Sequence, residues 1–140
     1  MKGGDLLIEC LKVQGVRCMF GMPGVQNLQI YDAIFRSGSG AIDHYLVRHE
    51  YAATLMAHGF ARTTGDVGVA LTVPGPGATN AATGLLEAFT DCVGVLLITG
   101  QSHSRFYEKD PAKMFHGLDQ MAFFRPITKY CAIARSTDEI

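Results

Sequence analysis

Val67-Gly68-Val69-Ala70-Leu71-Thr72-Val73, running without a break into Pro74-Gly75-Pro76-Gly77-Ala78-Thr79-Asn80, decides the fold. The first seven residues carry one hydroxyl and no charge, so they read as a strand buried on both faces. Proline and glycine then alternate twice and stop the strand. From Ala78 to Phe89 the pattern turns helical. A doubly buried strand that feeds a helix is half of a parallel crossover unit.

The same alternation extends outward in both directions. Upstream, Gly65-Asp66 closes a helix over residues 49–64, where Ala52, Ala53, Ala57 and Ala61 leave one face small enough for close packing. Before it, Ile42 to Val47 reads as a strand, and Leu28, Ile30, Tyr31, Ile34 and Phe35 mark a helix that dissolves into Ser37-Gly38-Ser39-Gly40. Val16 to Phe20 is a short strand broken by Gly21-Met22-Pro23-Gly24, and Asp5 to Gln14 a helix ended by Gly15. Downstream, Val93 to Thr99 is a second apolar strand, followed by a long irregular loop from Gly100 to Gly117. Leu118 to Phe124 predicts a short helix, and Ile127 to Ile133 a final strand. The expected fold is α/β, a central parallel sheet with helices on both faces. Right-handed crossovers would gather residues 21–24, 48–50 and 74–80 on the C-terminal edge of that sheet.

Length and composition set bounds. A chain of 140 residues suits one domain and buries roughly two-thirds of its unfolded surface. The formal net charge is −1, with no basic stripe or acidic tail, so no nucleic-acid partner is expected. The stretch from Val93 to Ile98 falls far short of the ~20 apolar residues of a membrane span. Met1 to Asp5 meets an acid before any apolar run, unlike a signal peptide. Cys10, Cys18, Cys92 and Cys131 form no C-x-x-C pair, which predicts buried thiols in a reducing cytoplasm. Ser136-Thr137-Asp138-Glu139-Ile140 reads as a hydroxyl cap and an acidic first turn. The domain is thus expected to span residues 1–135, with residues 136–140 opening a further helix that a truncation interrupts.

Three segments carry chemistry. Glu50, in Val47-Arg48-His49-Glu50, stands where a strand hands over to a helix. By itself it reads as an acid favoured by the helix macrodipole, worth ~0.3–1 kcal/mol. His49-Glu50 begins like H-E-x-x-H, but position 53 is Ala53, so no metal pair forms. The loop from Val73 to Asn80 brings bare amides near a ligand, yet it is neither G-x-G-x-x-G nor a lysine-bearing phosphate loop. Its two prolines suit a rigid surface that receives a flat ring; a plain rigid turn, with Asn80 in solvent or capping, is the other reading. Gly21-Met22-Pro23-Gly24 alone is a turn.

In combination these segments resemble a known family. Phe20-Gly21-Met22-Pro23-Gly24, Val47-Arg48-His49-Glu50 and Gly59-Phe60-Ala61-Arg62-Thr63-Thr64-Gly65 look like the opening of the acetolactate synthase and benzoylformate decarboxylase superfamily of thiamine-diphosphate enzymes. So do Gly75-Pro76-Gly77-Ala78-Thr79-Asn80, Ile98-Thr99-Gly100-Gln101 and Arg125-Pro126-Ile127-Thr128-Lys129, in family order over almost the whole chain. The resemblance implies the pyrimidine-binding domain of a 2-oxo-acid decarboxylase or carboligase. The acid at Glu50 would hydrogen-bond N1′ of the aminopyrimidine, favouring the tautomer that removes the thiazolium C2 proton. Pro23, Gly24, Gly75, Pro76 and Asn80 would line the pyrimidine pocket.

The departures from the family pattern are informative. Val25 replaces a usual second glycine, Pro74 a usual serine, and Phe115-His116-Gly117 stands for Phe-Gln-Glu. Val25, Gln101 and His116 are therefore candidates to face substrate, or ordinary loop residues. The family holds diphosphate and Mg²⁺ through a separate Gly-Asp-Gly domain absent here, so no metal ligand is assigned and the chain alone is expected to be inactive. FAD is neither implied nor excluded. The helices at 49–64 and 78–89 are expected to meet a partner subunit, whose diphosphate-binding domain completes the site, in a homodimer or homotetramer. A separate subunit of a split decarboxylase of the sulfopyruvate type, or a non-catalytic assembly domain of the same fold, are the alternatives; a Rossmann-type nucleotide domain lacks its glycine fingerprint.

Overall fold

The computed structural model describes residues 1–103 and 113–140. Helix α1 (Gly3–Val13) leads to β1 (Cys18–Gly21), α2 (Leu28–Arg36), β2 (Asp43–Leu46), α3 (Glu50–Thr64), β3 (Gly68–Thr72), α4 (Pro76–Thr90), β4 (Val95–Thr99) and a short α5 (Gln120–Phe124). The four strands form one parallel sheet in the order β2-β1-β3-β4. This is the α/β architecture expected, and the strand-to-helix loops do share one edge. Among the described residues no helix is long and apolar enough to cross a membrane.

The sheet's core follows from strand alternation. Successive side chains point to opposite faces. Met19, Val69 and Leu71 therefore pack with Ile8 and Leu11 of α1 and Ala33 of α2. Phe20 and Ala70 pack on the other face with Ala53 and Ala57 of α3. Every residue of β3 is buried, and each large side chain withdrawn from water there contributes about 1.5–3 kcal/mol. Asp5 and Arg36 tie α1 to the end of α2 through a 2.5 Å ion pair; the guanidinium holds the Asp5 carboxyl below its ordinary range.

Helices α3 and α4 approach closely because their facing residues are small. Ala53, Ala57 and Ala61 on one helix are buried with Ala78, Ala81 and Gly84 on the other. A β-carbon on Gly84 would stand 2.5 Å from Thr54 Oγ1 and 2.7 Å from the Leu55 nitrogen. The Thr54 hydroxyl donates to the Ala81 carbonyl at 2.9 Å. These contacts set how far apart the N-termini of α3 and α4 lie, and both carry candidate site residues. Gly65 closes α3 at φ +79°.

Two expectations fail. Of the four cysteines only Cys18 is buried, and Cys92, in the turn after α4, is exposed. Ile127 to Ile133 forms no strand: Arg125–Ile127 is a 3-10 turn around Pro126, and residues 128–135 join no ladder. Ile127 and Cys131 instead pack against Ala78, Leu85 and Phe124. A groove of about 1120 Å³ is lined by Leu96–Thr99 and Tyr130–Ala134, and the sheet ends at β4. β4 is thus an edge strand, with Leu96 41% exposed. At the end of the chain Thr137–Glu139 makes one 3-10 turn; Ser136 stands at its N-cap without a side-chain bond.

Two predictions follow from this packing. Gly84→Ala should destabilise the domain by about 1–3 kcal/mol, since the methyl meets backbone as well as Thr54; an unchanged urea midpoint would show that the helices part freely. The second concerns His44, whose Nε2 lies 3.1 Å from the Tyr31 hydroxyl. The two groups share a hydrogen bond in which the uncharged ring suffices. Burial lowers the His44 pKa from 6.5 and raises that of Tyr31. The unfolded state therefore takes up this proton first, and stability present above pH about 6.5 is lost as pH falls below it. Urea titrations from about pH 7 to 5 should show this loss, and His44→Gln should flatten it; parallel pH profiles for the two proteins would refute it.

Candidate functional site

Val73 is the residue on which the loops converge. A β-carbon on Gly24 would lie 2.4 Å from Val73 Cγ1, and one on Gly77 would lie 2.5 Å from Val73 Cγ2. The loop after β1 and the start of α4 are therefore both pressed against one side chain at the end of β3. Only glycine permits either approach. Between them, Gly75 adopts φ +62° and ψ −117°, a left-handed backbone that favours glycine. Pro76 follows at the first helical position, where its missing N–H costs nothing.

Glu50 opens α3 on the far side of Gly77. Its side chain is 14% exposed. Asn80 Nδ2, one turn into α4, donates to Glu50 Oε2 at 3.1 Å. The other oxygen, Oε1, faces the bare α-carbon of Gly77, where a β-carbon would stand 3.2 Å away. His49, the residue before it, caps α3: its Nδ1 accepts from the Tyr51 backbone N–H at 3.3 Å. His49 Nδ1 also stands 3.9 Å from Glu50 Oε2, too far for a hydrogen bond. The carboxylate is thus nearly withdrawn from water, with one oxygen anchored and the other directed at a surface without a side chain.

The candidates divide into two groups. Glu50, Asn80, Gly75 and Gly24 come together through Val73 and Gly77, with Pro23 and Pro76 exposed beside Gly24 and Gly77 in the chain. Val25 and Gln101 instead share the wall of an open groove of about 1010 Å³ with Leu7, Ile30 and Phe115. Val25 is 80% exposed. This groove does not include Glu50. His116 joins the two groups: a β-carbon on Gly75 would meet its carbonyl oxygen at 2.7 Å, and its ring stacks on Phe115 at 3.9 Å.

Sequence reasoning passed over Val73, Gly77 and Gln26. Val73 looked like the last residue of a strand, and Gly77 like one glycine of four. Their signal was only that a branched residue sits between two glycine loops. The part of the long loop at residues 104–112 lies outside the described residues. Among the described residues no group of three His, Cys, Asp or Glu side chains is placed to hold a metal ion.

Residues 1–123 match the family model described as thiamine pyrophosphate enzyme, N-terminal TPP binding domain. The whole chain is 43% identical to the acetolactate synthase large subunit of Haemophilus influenzae over 140 residues, 24% of that protein's length. It is 41% identical to acetolactate synthase isozyme 3 large subunit of Escherichia coli, again over 24% of its length. It is 39% identical to a probable acetolactate synthase large subunit of Methanocaldococcus jannaschii, over 23% of that chain. The chain therefore spans about a quarter of the length of the curated relatives it matches.

Proposed function

This chain belongs to the thiamine pyrophosphate enzyme family through its N-terminal TPP binding domain, and from that premise we propose that Glu50 is the acid that engages the cofactor's aminopyrimidine in a 2-oxo-acid decarboxylase or carboligase of the acetolactate synthase type. The observation that carries the reading is the state of the carboxyl group. It is 14% exposed, one oxygen is tied to Asn80, and the other faces the Gly77 α-carbon. A flat ring needs that combination of a free oxygen and a missing side chain, so the residues fit the group. When bound, thiamine diphosphate supplies an electron sink for breaking or making a bond next to a carbonyl.

Each residue's task follows from its position. Glu50 holds a proton that it shares with a ring nitrogen; exclusion of water strengthens that hydrogen bond. Asn80 fixes the carboxyl rotamer, so the shared proton stays on Oε1. Gly24 and Gly77 admit the two methyls of Val73 and Gly75 admits the His116 backbone, with Pro23 and Pro76 stiffening the rims of the cleft. Val25, Gln101 and His116 face the 2-oxo acid on the neighbouring side.

The remainder of the cofactor falls to other parts of the enzyme. The relatives are about four times as long as this chain. Diphosphate and Mg²⁺ are accordingly assigned to another domain, supplied by a partner subunit in a homodimer or homotetramer. Tyr51, Leu55, Met56, Leu86 and Phe89 remain exposed on α3 and α4, which supports a partner there. All four cysteines are unpaired, in keeping with a cytoplasmic enzyme.

Two experiments test this assignment. The 140-residue chain, given thiamine diphosphate and Mg²⁺, should release no CO₂ from 2-oxo acids; cofactor-dependent release would refute the divided site. In the full-length protein that carries this domain, Glu50→Gln should fold normally but slow exchange of the cofactor's C2 proton for deuterium by ~10²–10⁴-fold. Exchange at the wild-type rate in a folded, cofactor-loaded variant would leave Glu50 as a helix-start acid and no more.

A further inference from the structure

Strand β4 has the sequence of a sheet's interior and stands at the sheet's end. Val95-Leu96-Leu97-Ile98-Thr99 carries four aliphatic side chains in succession, the pattern of a parallel strand covered on both faces. Only half of its backbone is paired with β3. The Gly94 carbonyl accepts from Gly68 N–H at 3.1 Å, and Gly100 N–H donates to the Thr72 carbonyl at 3.0 Å. Leu96 and Ile98, in phase with these two glycines, therefore turn their N–H and C=O groups to β3. Val95, Leu97 and Thr99, one step out of phase, turn theirs the other way. An apolar edge of this kind is one that folded proteins ordinarily cover.

The groove along that edge suits one more strand. Its lining comes from both layers of the domain: Leu7 and Ile30 of α1 and α2, and Leu85 and Ala88 of α4. All of β4 contributes to it, and so do residues 130–134, which join no ladder. An occupant must therefore present apolar groups to two opposite layers and backbone donors and acceptors to β4. A β-strand does both, because its side chains alternate between two faces while its N–H and C=O groups leave it edge-on. A helix satisfies its own backbone and leaves the edge of β4 unpaired. Glu139 and Ile140 also line the groove, and the relatives are about four times as long as this chain.

We propose that in the full-length protein a strand from the polypeptide after Ile140 fills this groove. It pairs with β4 and carries residues 130–134 on its far side. The four strands of the sheet all run one way, and the added strand joins them in that direction. A parallel connection needs a crossover of about a dozen residues or more, so the strand does not follow Ile140 directly. Its sequence is a short run apolar on both faces, matching the five residues of β4. The proposal does not depend on the reading of Glu50.

Amide hydrogen exchange, read residue by residue in the full-length protein, tests the pairing. Leu96 and Ile98 face β3 whatever covers the edge, so they serve as the internal reference. Leu97 and Thr99 should exchange as slowly as these two. Exchange faster by about a hundredfold or more, the behaviour of an open edge, would overturn the proposal. The occupant is identified by a photoreactive benzoylphenylalanine at position 96, since Leu96 lines the groove and is 41% exposed. Irradiation should join it to an apolar segment beyond Ile140 in the same polypeptide. In an assembly mixed from nitrogen-15-labelled and unlabelled copies, each crosslinked product should carry a single label. Products that mix the labels, or that stay within residues 1–140, would overturn the proposal. Neither measurement reads the cofactor's C2 proton, so failure here leaves the Glu50 assignment as it stands.

Discussion

The site depends on Val73, whose two methyl groups fill the space that side chains at Gly24 and Gly77 would need. A branched residue at the end of the central strand is rigid about χ1, so it makes a fixed post between two loops. Gly24 rests on one methyl and Gly77 on the other. Glu50 lies on the open side of Gly77, and its carboxyl gains a neighbour that has no side chain. A larger group at either glycine would have to displace Val73 or the loop, and the interior beneath is packed on both faces of β3.

The same economy of small residues holds the two helices that bring the site together. Glu50 is the first residue of α3, and Asn80 lies one turn into α4. Their 3.1 Å hydrogen bond forms because the helices pack through Ala53, Ala57, Ala81 and Gly84 at short range. Bulkier faces would separate the two N-termini. The hydrogen bond between Thr54 and Ala81 locks the register of that contact. Packing remote from the site thus fixes the rotamer of its acid.

The family departures acquire physical meaning in three dimensions. Pro74 is fully buried beside Val73, so its ring belongs to the interior and stiffens the entry to Gly75. Val25 points outward and is 80% exposed, so nothing in the domain's own packing demands glycine there. His116 is seated on Gly75 and bonded to Gln26, so the departure at 115–117 lies against the residue that follows Val25. Changes that look scattered along the chain meet in one corner of the site.

Much of the fold was legible because it is written in local periodicity. The doubly apolar run at 67–73, its proline–glycine stop and the small-faced helices on either side require a parallel sheet with its loops on one edge. Glu50 was legible only in company with the other segments, since an acid in a first turn is ordinary. The supposed strand at 127–133 misled because an apolar run reports burial and not the partner that provides it: Ile127 and Cys131 are buried against α4 and α5 instead of hydrogen-bonded to β4. Order along the chain determined the fold class and the edge on which the loops lie, through patterns that repeat every two or three to four residues, whereas Glu50 stood out only through the resemblance of several segments taken together. Only the tertiary structure decided that Val73 separates Gly24 from Gly77, that Asn80 anchors Glu50 and that Gln26 meets His116, because contacts across loops depend on packing between distant residues and leave no periodic trace in the sequence.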